Sequence, residues 1–146
     1  MSKPAPVDWK IRTARSDDLP AVRLFYASVG YGGGAAEGDC VLIAETNGRI
    51  AGACRLCAEE EGLTLRGVYV AADCQRRGVG SALVAAALRR ARGRRLYCIP
   101  FSHLRDFYAR AGFVEFSPAQ APAFLAERVE IYRKKLGLDV LLMRAG

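Results

Sequence analysis

The residues between Leu63 and Ala91 change their hydrophobic pattern once, and this change constrains the fold more than any other feature of the sequence. Up to Ala71 the stretch reads as a strand, whereas from Leu83 onward the apolar residues share one face of a helix. A polar turn containing Gly78 and Gly80 separates the two. Strand, tight turn and helix start together present free backbone N–H groups and the positive end of the helix dipole to an anion. The junction therefore predicts an α/β fold with a phosphate-binding turn.

Two further patterns predict how the rest of the sheet is built. Asn47-Gly48 lies between the apolar runs Cys40–Glu45 and Ile50–Cys57 and is the strongest short hairpin signal in the chain. The run Leu63–Ala71 follows an acidic turn, so we expect three consecutive antiparallel strands. The other predicted elements are a strand at Lys10–Ala14, a helix capped by Ser16 with Leu19, Val22, Phe25, Tyr26 and Val29 on its apolar face, a strand at Leu96–Ile99, a helix at Leu104–Ala111 closed by Gly112, a strand at Phe113–Phe116, a helix at Leu125–Leu136 closed by Gly137, and a final strand at Leu138–Met143. We expect one mixed sheet in a single domain covering residues 1–146.

Composition excludes several classes of protein. The chain has 146 residues, of which 51% are hydrophobic and 25% charged, which is typical of one globular domain and not of a disordered or collagen-like chain. No apolar run approaches the roughly 20 residues of a membrane-spanning helix, and Met1–Lys10 lacks the apolar core of a secretory signal. We therefore expect a cytoplasmic protein that does not bind a membrane.

The cysteines indicate free thiols and no metal site. There are five, an odd number, in apolar or turn contexts. Cys54 and Cys57 form a CxxC, but positions i and i+3 of a strand point to opposite faces, so the pair is poorly placed to share a zinc ion. With one histidine in the chain, we expect no metal.

The positive charge is concentrated in one segment. Between Ala72 and Arg110 there are nine arginines against Asp73 and Asp106, an excess equal to the net charge of +7 of the whole chain. Such a cluster attracts nucleic acid or a small polyphosphate, and is equally typical of a solvated helix face. Signatures of RNA-binding modules and zinc fingers are missing, so no nucleic-acid partner is expected.

Two motifs identify a resemblance to a known family. Gln75-x-x-Gly78-x-Gly80 has the spacing of the [QR]xxGx[GA] signature of the GNAT superfamily of acyl-CoA-dependent N-acyltransferases. It differs from the Walker and dinucleotide-binding loops. Further along, Phe107–Phe113 resembles the FYxxxGF segment of that family, and the predicted element order is similar throughout. The resemblance implies an α+β fold with a single mixed, mostly antiparallel sheet, a V-shaped splay and helices on both faces. The predicted helix within Pro122–Leu136 departs from common members and is expected to shape the acceptor pocket.

The resemblance also implies a binding site for acetyl-CoA as co-substrate. The N–H groups from Arg76 to Gly80 would bind its pyrophosphate, and its pantetheine arm would pair with the strand at Val68 and Val70, where the splay leaves backbone groups unpaired, as at Tyr97–Ile99. The backbone N–H of Val70 is the expected donor to the thioester carbonyl. The complete set of expected binding residues is Val68, Tyr69, Val70, Gln75, Arg76, Arg77, Gly78, Val79, Gly80 and Ser81.

Assignments of the reacting groups follow from the same resemblance. Tyr108 would protonate the departing CoA thiolate, because its phenol and a thiol have similar reference pKa values, about 10 and 8.5; the alternative is a core aromatic residue. The general base stays open between Glu61 and His103, with Glu45 a further possibility. Arg66 stands where many relatives carry an acid, and would either bind a carboxylate of the substrate or pair with Glu61.

The sequence thus predicts an N-acetyltransferase. An acetyl group would move from acetyl-CoA to a primary amine, in particular of a small amino-acid-like acceptor, by direct attack in a ternary complex. Transfer through a covalent Cys98 intermediate is the less favoured route, because a buried thiol is usually inert. The alternative function is a non-catalytic acyl-CoA-binding module, suggested by the missing strand acid. A homodimer is compatible with the sequence.

Overall fold

A computed structural model describes residues 9–33, 35, 38–59 and 62–146. The strands are β1 (Lys10–Thr13), β2 (Cys40–Thr46), β3 (Arg49–Glu59), β4 (Gly62–Val70), β5 (Leu96–Cys98), β6 (Val114–Glu115) and β7 (Met143–Ala145). The α-helices are α1 (Leu19–Ser28), α2 (Val79–Ala91), α3 (Arg105–Arg110) and α4 (Ala123–Glu130), and α4 continues as a π-helix over Ile131–Lys135. Short 3₁₀ turns lie at Ser16–Asp18, Ala72–Cys74, Ser102–Leu104 and Pro118–Gln120.

The strands form one seven-stranded open sheet in the order β1-β2-β3-β4-β5-β7-β6. Strands β4 and β5 are parallel, whereas β1–β2, β5–β7 and β6–β7 are antiparallel. The predicted mixed, mostly antiparallel sheet flanked by helices is therefore confirmed. Between β4 and β5 the described register pairs Leu63 with Leu96 and Thr64 with Tyr97; the splay beyond these residues stays a prediction.

The chain divides into two compact units, and the first contains the residues up to Arg55 together with Gly67–Ala87. Its core includes α1 and the strands against which α1 packs. The hairpin turn predicted at Asn47-Gly48 is confirmed, because both residues have positive φ values, 49° and 76°. Positive φ at both central residues is typical of a type I′ turn, whose backbone twist matches that of the flanking strands. Buried core residues are Val22, Phe25, Tyr26, Ala35, Val41, Ile43 and Ala53.

The second unit contains Leu56–Arg66 and Leu88–Gly146. Here α4 packs its apolar face on the end of the sheet, with Leu125 and Val129 almost fully buried. The predicted helix at Leu125–Leu136 is confirmed in position, although its last turn is π-helical. The core residues of this cluster are Tyr97, Phe116, Leu125, Val129 and Leu142. Whether the two units act as one domain stays a prediction.

Two predicted details are wrong. Ser16 does not cap the first helix: it begins the 3₁₀ turn, where the Asp18 carboxylate accepts the backbone N–H of Arg15 at 2.8 Å. The last strand, β7, shares only Met143 with the predicted strand Leu138–Met143 and continues beyond it to Ala145. The earlier part of that segment is held by the loop after β5, where the Ser102 hydroxyl donates to Asp139 at 2.6 Å.

Candidate functional site

The turn between β4 and α2 has a left-handed backbone at two positions. Gln75 is extended, Arg76 has a φ of 63° and Gly78 a φ of 83°. An ordinary residue held in the left-handed region costs of the order of 1 kcal/mol, and such strain clusters at ligand-binding segments. Ala82 donates to the carbonyl of Gly78 at 3.0 Å as the helix begins. The N–H groups of the first turn of α2, before Ala82, therefore have no partner inside the helix.

Close packing fixes the start of α2 against the sheet. Val79, the first helical residue, is buried, and the helix approaches β3 at Gly52. A Cβ atom at Gly52 would lie 3.0 Å from the side chains of Val79 and Leu83 and from the carbonyl oxygen of Tyr69. The missing side chain therefore lets the first turn of α2 lie close to the end of β4. No pattern in the sequence distinguishes Gly52 from the other glycines.

Side-chain contacts tie the turn to its surroundings. The Gln75 amide donates to the carbonyl of Val70 at 3.3 Å, which links the signature glutamine to the end of β4. Arg49 forms an ion pair with Asp73, and the hydrogen bond from Arg49 lowers the pKa of that carboxyl. The side chains of Arg76 and Arg77 are exposed beside the turn. The turn thus combines a backbone held by neighbouring contacts with exposed positive charge, two features that favour anion binding. Ser81 is exposed on the first turn of α2, and Gly80 is half-buried.

The end of β4 is also fixed by aromatic side chains. Gly67 has a φ of 62°, and the Tyr26 hydroxyl donates to its carbonyl at 2.8 Å. The ring of Tyr31 packs against those of Tyr26 and Tyr69, with centroid separations of 4.7 and 5.1 Å. The Tyr69 side chain belongs to this aromatic cluster. We therefore expect Tyr69 to contact acetyl-CoA through its backbone and not through its ring. Val68 and Val70 are half-buried.

Tyr108 lies on α3 and is 6% exposed. Its ring stands edge-on to Phe107 and Phe113, with centroids 5.0 and 5.6 Å apart. The N–H of Phe113 donates to the Tyr108 carbonyl at 3.1 Å, which closes the helix just past Gly112, whose φ is 107°. The predicted inward-facing ring and glycine at the helix end are confirmed, and the catalytic role stays a prediction.

The three candidate bases, Glu61, His103 and Glu45, have different surroundings, and the structure describes two of them. Glu61 lies outside the described residues. His103 is exposed in the turn before α3 and stacks on Phe101, with centroids 5.8 Å apart. Glu45 accepts two hydrogen bonds from Arg12, at 2.8 and 2.9 Å, so its carboxylate is held in an ion pair.

Arg66 joins a charged cluster that sequence analysis missed. Its guanidinium pairs with Glu59 at 3.2 Å and donates to the Tyr132 hydroxyl at 3.4 Å. Arg128 binds the other oxygen of Glu59 at 2.7 Å, and the Thr64 hydroxyl donates to Glu59 at 3.1 Å. Burial alone would raise the pKa of Glu59, but the hydrogen bond and charge of Arg128, with help from Thr64 and Arg66, lower it overall. Glu59 is therefore a carboxylate held by two guanidinium groups.

Two further predictions concern thiols and metals. Burial raises the pKa of the Cys98 thiol strongly, so a nucleophilic thiolate is disfavoured there. All five cysteines are free thiols. In the part of the chain that the structure describes, no group of three or more His, Cys, Asp or Glu side chains is placed to hold a metal ion. Among the same residues, no helix has the length and apolar character needed to cross a membrane.

An open, mostly antiparallel sheet, whose fourth strand leads through a turn with two left-handed residues into a helix, is the arrangement that the resemblance to acyl-CoA-dependent N-acyltransferases implies. The sequence matches the model of the acetyltransferase (GNAT) domain over residues 37–115, more than half of the chain. The chain therefore belongs to the GNAT family, as the two motifs predict. No curated protein sequence matches it.

Solved structures share this fold. N-acetylglutamate synthase from Neisseria gonorrhoeae, complexed with coenzyme A and L-arginine, is 24% identical with a TM-score of 0.68, over 94% of this chain and 33% of that one. Rv2747 from Mycobacterium tuberculosis, in complex with CoA and NLQ, is 22% identical with a TM-score of 0.72, over 93% and 98%. Naa50 from Arabidopsis thaliana, in complex with the bisubstrate analogue CoA-Ac-MVNAL, is 17% identical with a TM-score of 0.69, over 96% and 99%. The chain thus spans about a third of the length of the N-acetylglutamate synthase chain.

Proposed function

We propose that this protein transfers an acetyl group from acetyl-CoA to the primary amine of a small, amino-acid-like acceptor. The observation that carries the proposal is the turn before α2, where Arg76 and Gly78 have a left-handed backbone and the first-turn N–H groups of α2 have no partner inside the helix. A Cβ atom built at Gly78 would have the Trp9 ring, 4.0 Å away, as its nearest described neighbour, so the side of Gly78 that a Cβ would occupy is not filled by other backbone. The residues present therefore fit a pyrophosphate group that approaches the backbone closely.

The proposed chemistry is direct transfer. The acceptor nitrogen attacks the thioester carbonyl carbon, and the N–H of Val70 stabilises the negative charge that develops on the oxygen. The carbon–sulfur bond then breaks, and the Tyr108 phenol donates its proton to the departing thiolate. Glu61 or His103 accepts the proton that the amine loses. This route needs no covalent enzyme intermediate, in keeping with the raised pKa of Cys98.

Similar structures support an acceptor with an amino group. One was solved with coenzyme A and N-acetyl-glutamate, and another with an analogue that joins CoA to a peptide sequence. We place the acceptor of this protein among small amino-acid-like amines, with peptides as the nearest alternative. The cytoplasm is the proposed location, because five free thiols are typical of a reducing compartment.

A panel of amines, amino acids and peptides tests this function. Transfer of radiolabelled acetyl from acetyl-CoA, with release of free CoA thiol, is expected for at least one small amine. Calorimetry should show CoA binding in the absence of any acceptor. Binding without transfer would favour the non-catalytic module, an alternative motivated by the ion-paired Arg66 on β4 in place of an acid. A protein that does not bind CoA would contradict both functions.

A further inference from the structure

We propose that Arg66, Arg128 and Tyr132 bind the carboxylate of the acceptor, so that the substrates are free amino acids and not amines in general. This inference rests on the proposed function and adds the class of acceptor to it. The three side chains come from two elements, since Arg66 lies on β4 and the other two lie on α4 and its π-helical extension.

Two members of the cluster, Arg128 and Tyr132, carry hydrogen-bond donors that no described residue accepts. A guanidinium has five N–H donors, and among the described residues one hydrogen bond from Arg128 is accepted, by Glu59. The Tyr132 hydroxyl accepts from Arg66, and no described residue accepts the Tyr132 proton. Such a group is completed by a ligand that only accepts hydrogen bonds. A planar carboxylate fits this requirement, because it binds guanidinium groups in a bidentate manner.

Tyr132 lies on the π-helical extension of α4. Over Ile131–Lys135 the helix widens, with the N–H of Leu136 donating to the carbonyl of Ile131 at 3.2 Å. Short π-helical turns inside α-helices occur frequently at functional sites. Here the wider turn contains Tyr132, whose hydroxyl meets Arg66.

Burial favours a binding site over a simple surface ion pair. The side chains are 29% exposed at Arg66, 23% at Arg128 and 17% at Glu59. A ligand can therefore reach the guanidinium groups, while partial burial strengthens their interaction with an anion. Glu59 already holds both guanidinium groups in place. Less side-chain conformational entropy is therefore lost when a ligand binds them.

The test compares each amino acid with its carboxamide as acceptor. We expect Arg128→Gln to raise KM for the free acid roughly 10- to 100-fold, because a hydrogen-bonded charge pair is lost, with little change in kcat. KM for the carboxamide, which already lacks that charge, should stay within about twofold. Arg66→Gln should behave similarly, and Tyr132→Phe should give a smaller change in the same direction. Lys134→Gln is the matched control, since it removes one positive charge from the same helical segment, and it should leave both KM values unchanged.

Three outcomes separate this inference from the proposed function. Equal changes for acid and carboxamide would show that the cluster only supports the fold, and would overturn the carboxylate site while acetyl transfer stands. If no acceptor is acetylated, binding of the same acids and of their N-acetyl products is measured directly by calorimetry. Weaker binding to Arg128→Gln than to wild type would support the site, whereas equal binding, or none to either protein, would overturn it. Circular dichroism of each variant identifies one that fails to fold, and Tyr132→Phe, the mildest change, then decides.

Discussion

The sharpest prediction concerns Gly78 in the turn before α2. Replacing it with alanine adds one methyl group at a residue whose φ is 83°, with the nearest described atoms, in the Trp9 ring, 4.0 Å away. The protein has room for the methyl group, so the cost within the fold is conformational, about 1–2 kcal/mol for an alanine in the left-handed region. For a chain of this size that cost lowers Tm by roughly 2–8 °C.

Gly93 provides a matched control just beyond the other end of α2. Its φ is 78°, and a Cβ atom there meets nothing within 4 Å. Gly93→Ala therefore carries the same conformational cost without touching the proposed pyrophosphate site. Both variants should lose similar thermal stability, which isolates any effect on binding.

The two variants should differ in affinity for CoA. The added methyl group at Gly78 keeps phosphate oxygens from the backbone N–H groups, and hydrogen bonds to a charged group are worth about 1.5–3 kcal/mol. That loss corresponds to a rise in Kd of roughly 10- to 100-fold. Titration calorimetry measures it, with pantetheine, which has no pyrophosphate, as a ligand whose affinity should not change. If Gly78→Ala and Gly93→Ala bind CoA equally well, the pyrophosphate does not lie at this turn.

Other perturbations test the remaining assignments. Tyr108→Phe should lower kcat by roughly 10²-fold while CoA affinity and Tm stay close to wild type; unchanged turnover with a true acceptor would remove the phenol from the mechanism. Glu59 has a lowered pKa in the folded state, so its carboxylate stabilises the fold above its unfolded pKa of about 4.3 and loses that effect as pH falls. The difference in unfolding free energy between wild type and Glu59→Gln should therefore shrink from pH 6 to about pH 3, and a constant difference in chemical denaturation would contradict the ion pairs. Cys98→Ala should retain acetyl transfer, and an acetylated Cys98 trapped by mass spectrometry during turnover would instead establish the covalent route.

Local signals predicted those parts of the fold and of the candidate site that are continuous in sequence. The Asn47-Gly48 turn and the start of α2 depend on residues within a few positions of one another, so spacing and residue type were sufficient. The contact between Glu59 and Arg128 joins residues 69 positions apart, and no periodicity reports such a pairing.

The close approach at Gly52 and the left-handed backbone at Arg76 could not be predicted from the sequence, for two different reasons. The role of Gly52 depends on how closely a helix approaches the sheet, which is a property of packing and not of pattern. The left-handed Arg76 is a residue type that seldom adopts this backbone, so its conformation follows from its flanking structure and not from its own preference.

Gly67 limits how this protein can change over generations. Every single-base change in a glycine codon that alters the residue without ending the chain introduces a Cβ atom, and here that atom would lie 2.9 Å from the ring of Tyr31 and 3.0 Å from the hydroxyl of Tyr26. The φ of 62° disfavours the same replacements. In a randomly mutated library, clones that keep their function should retain this glycine.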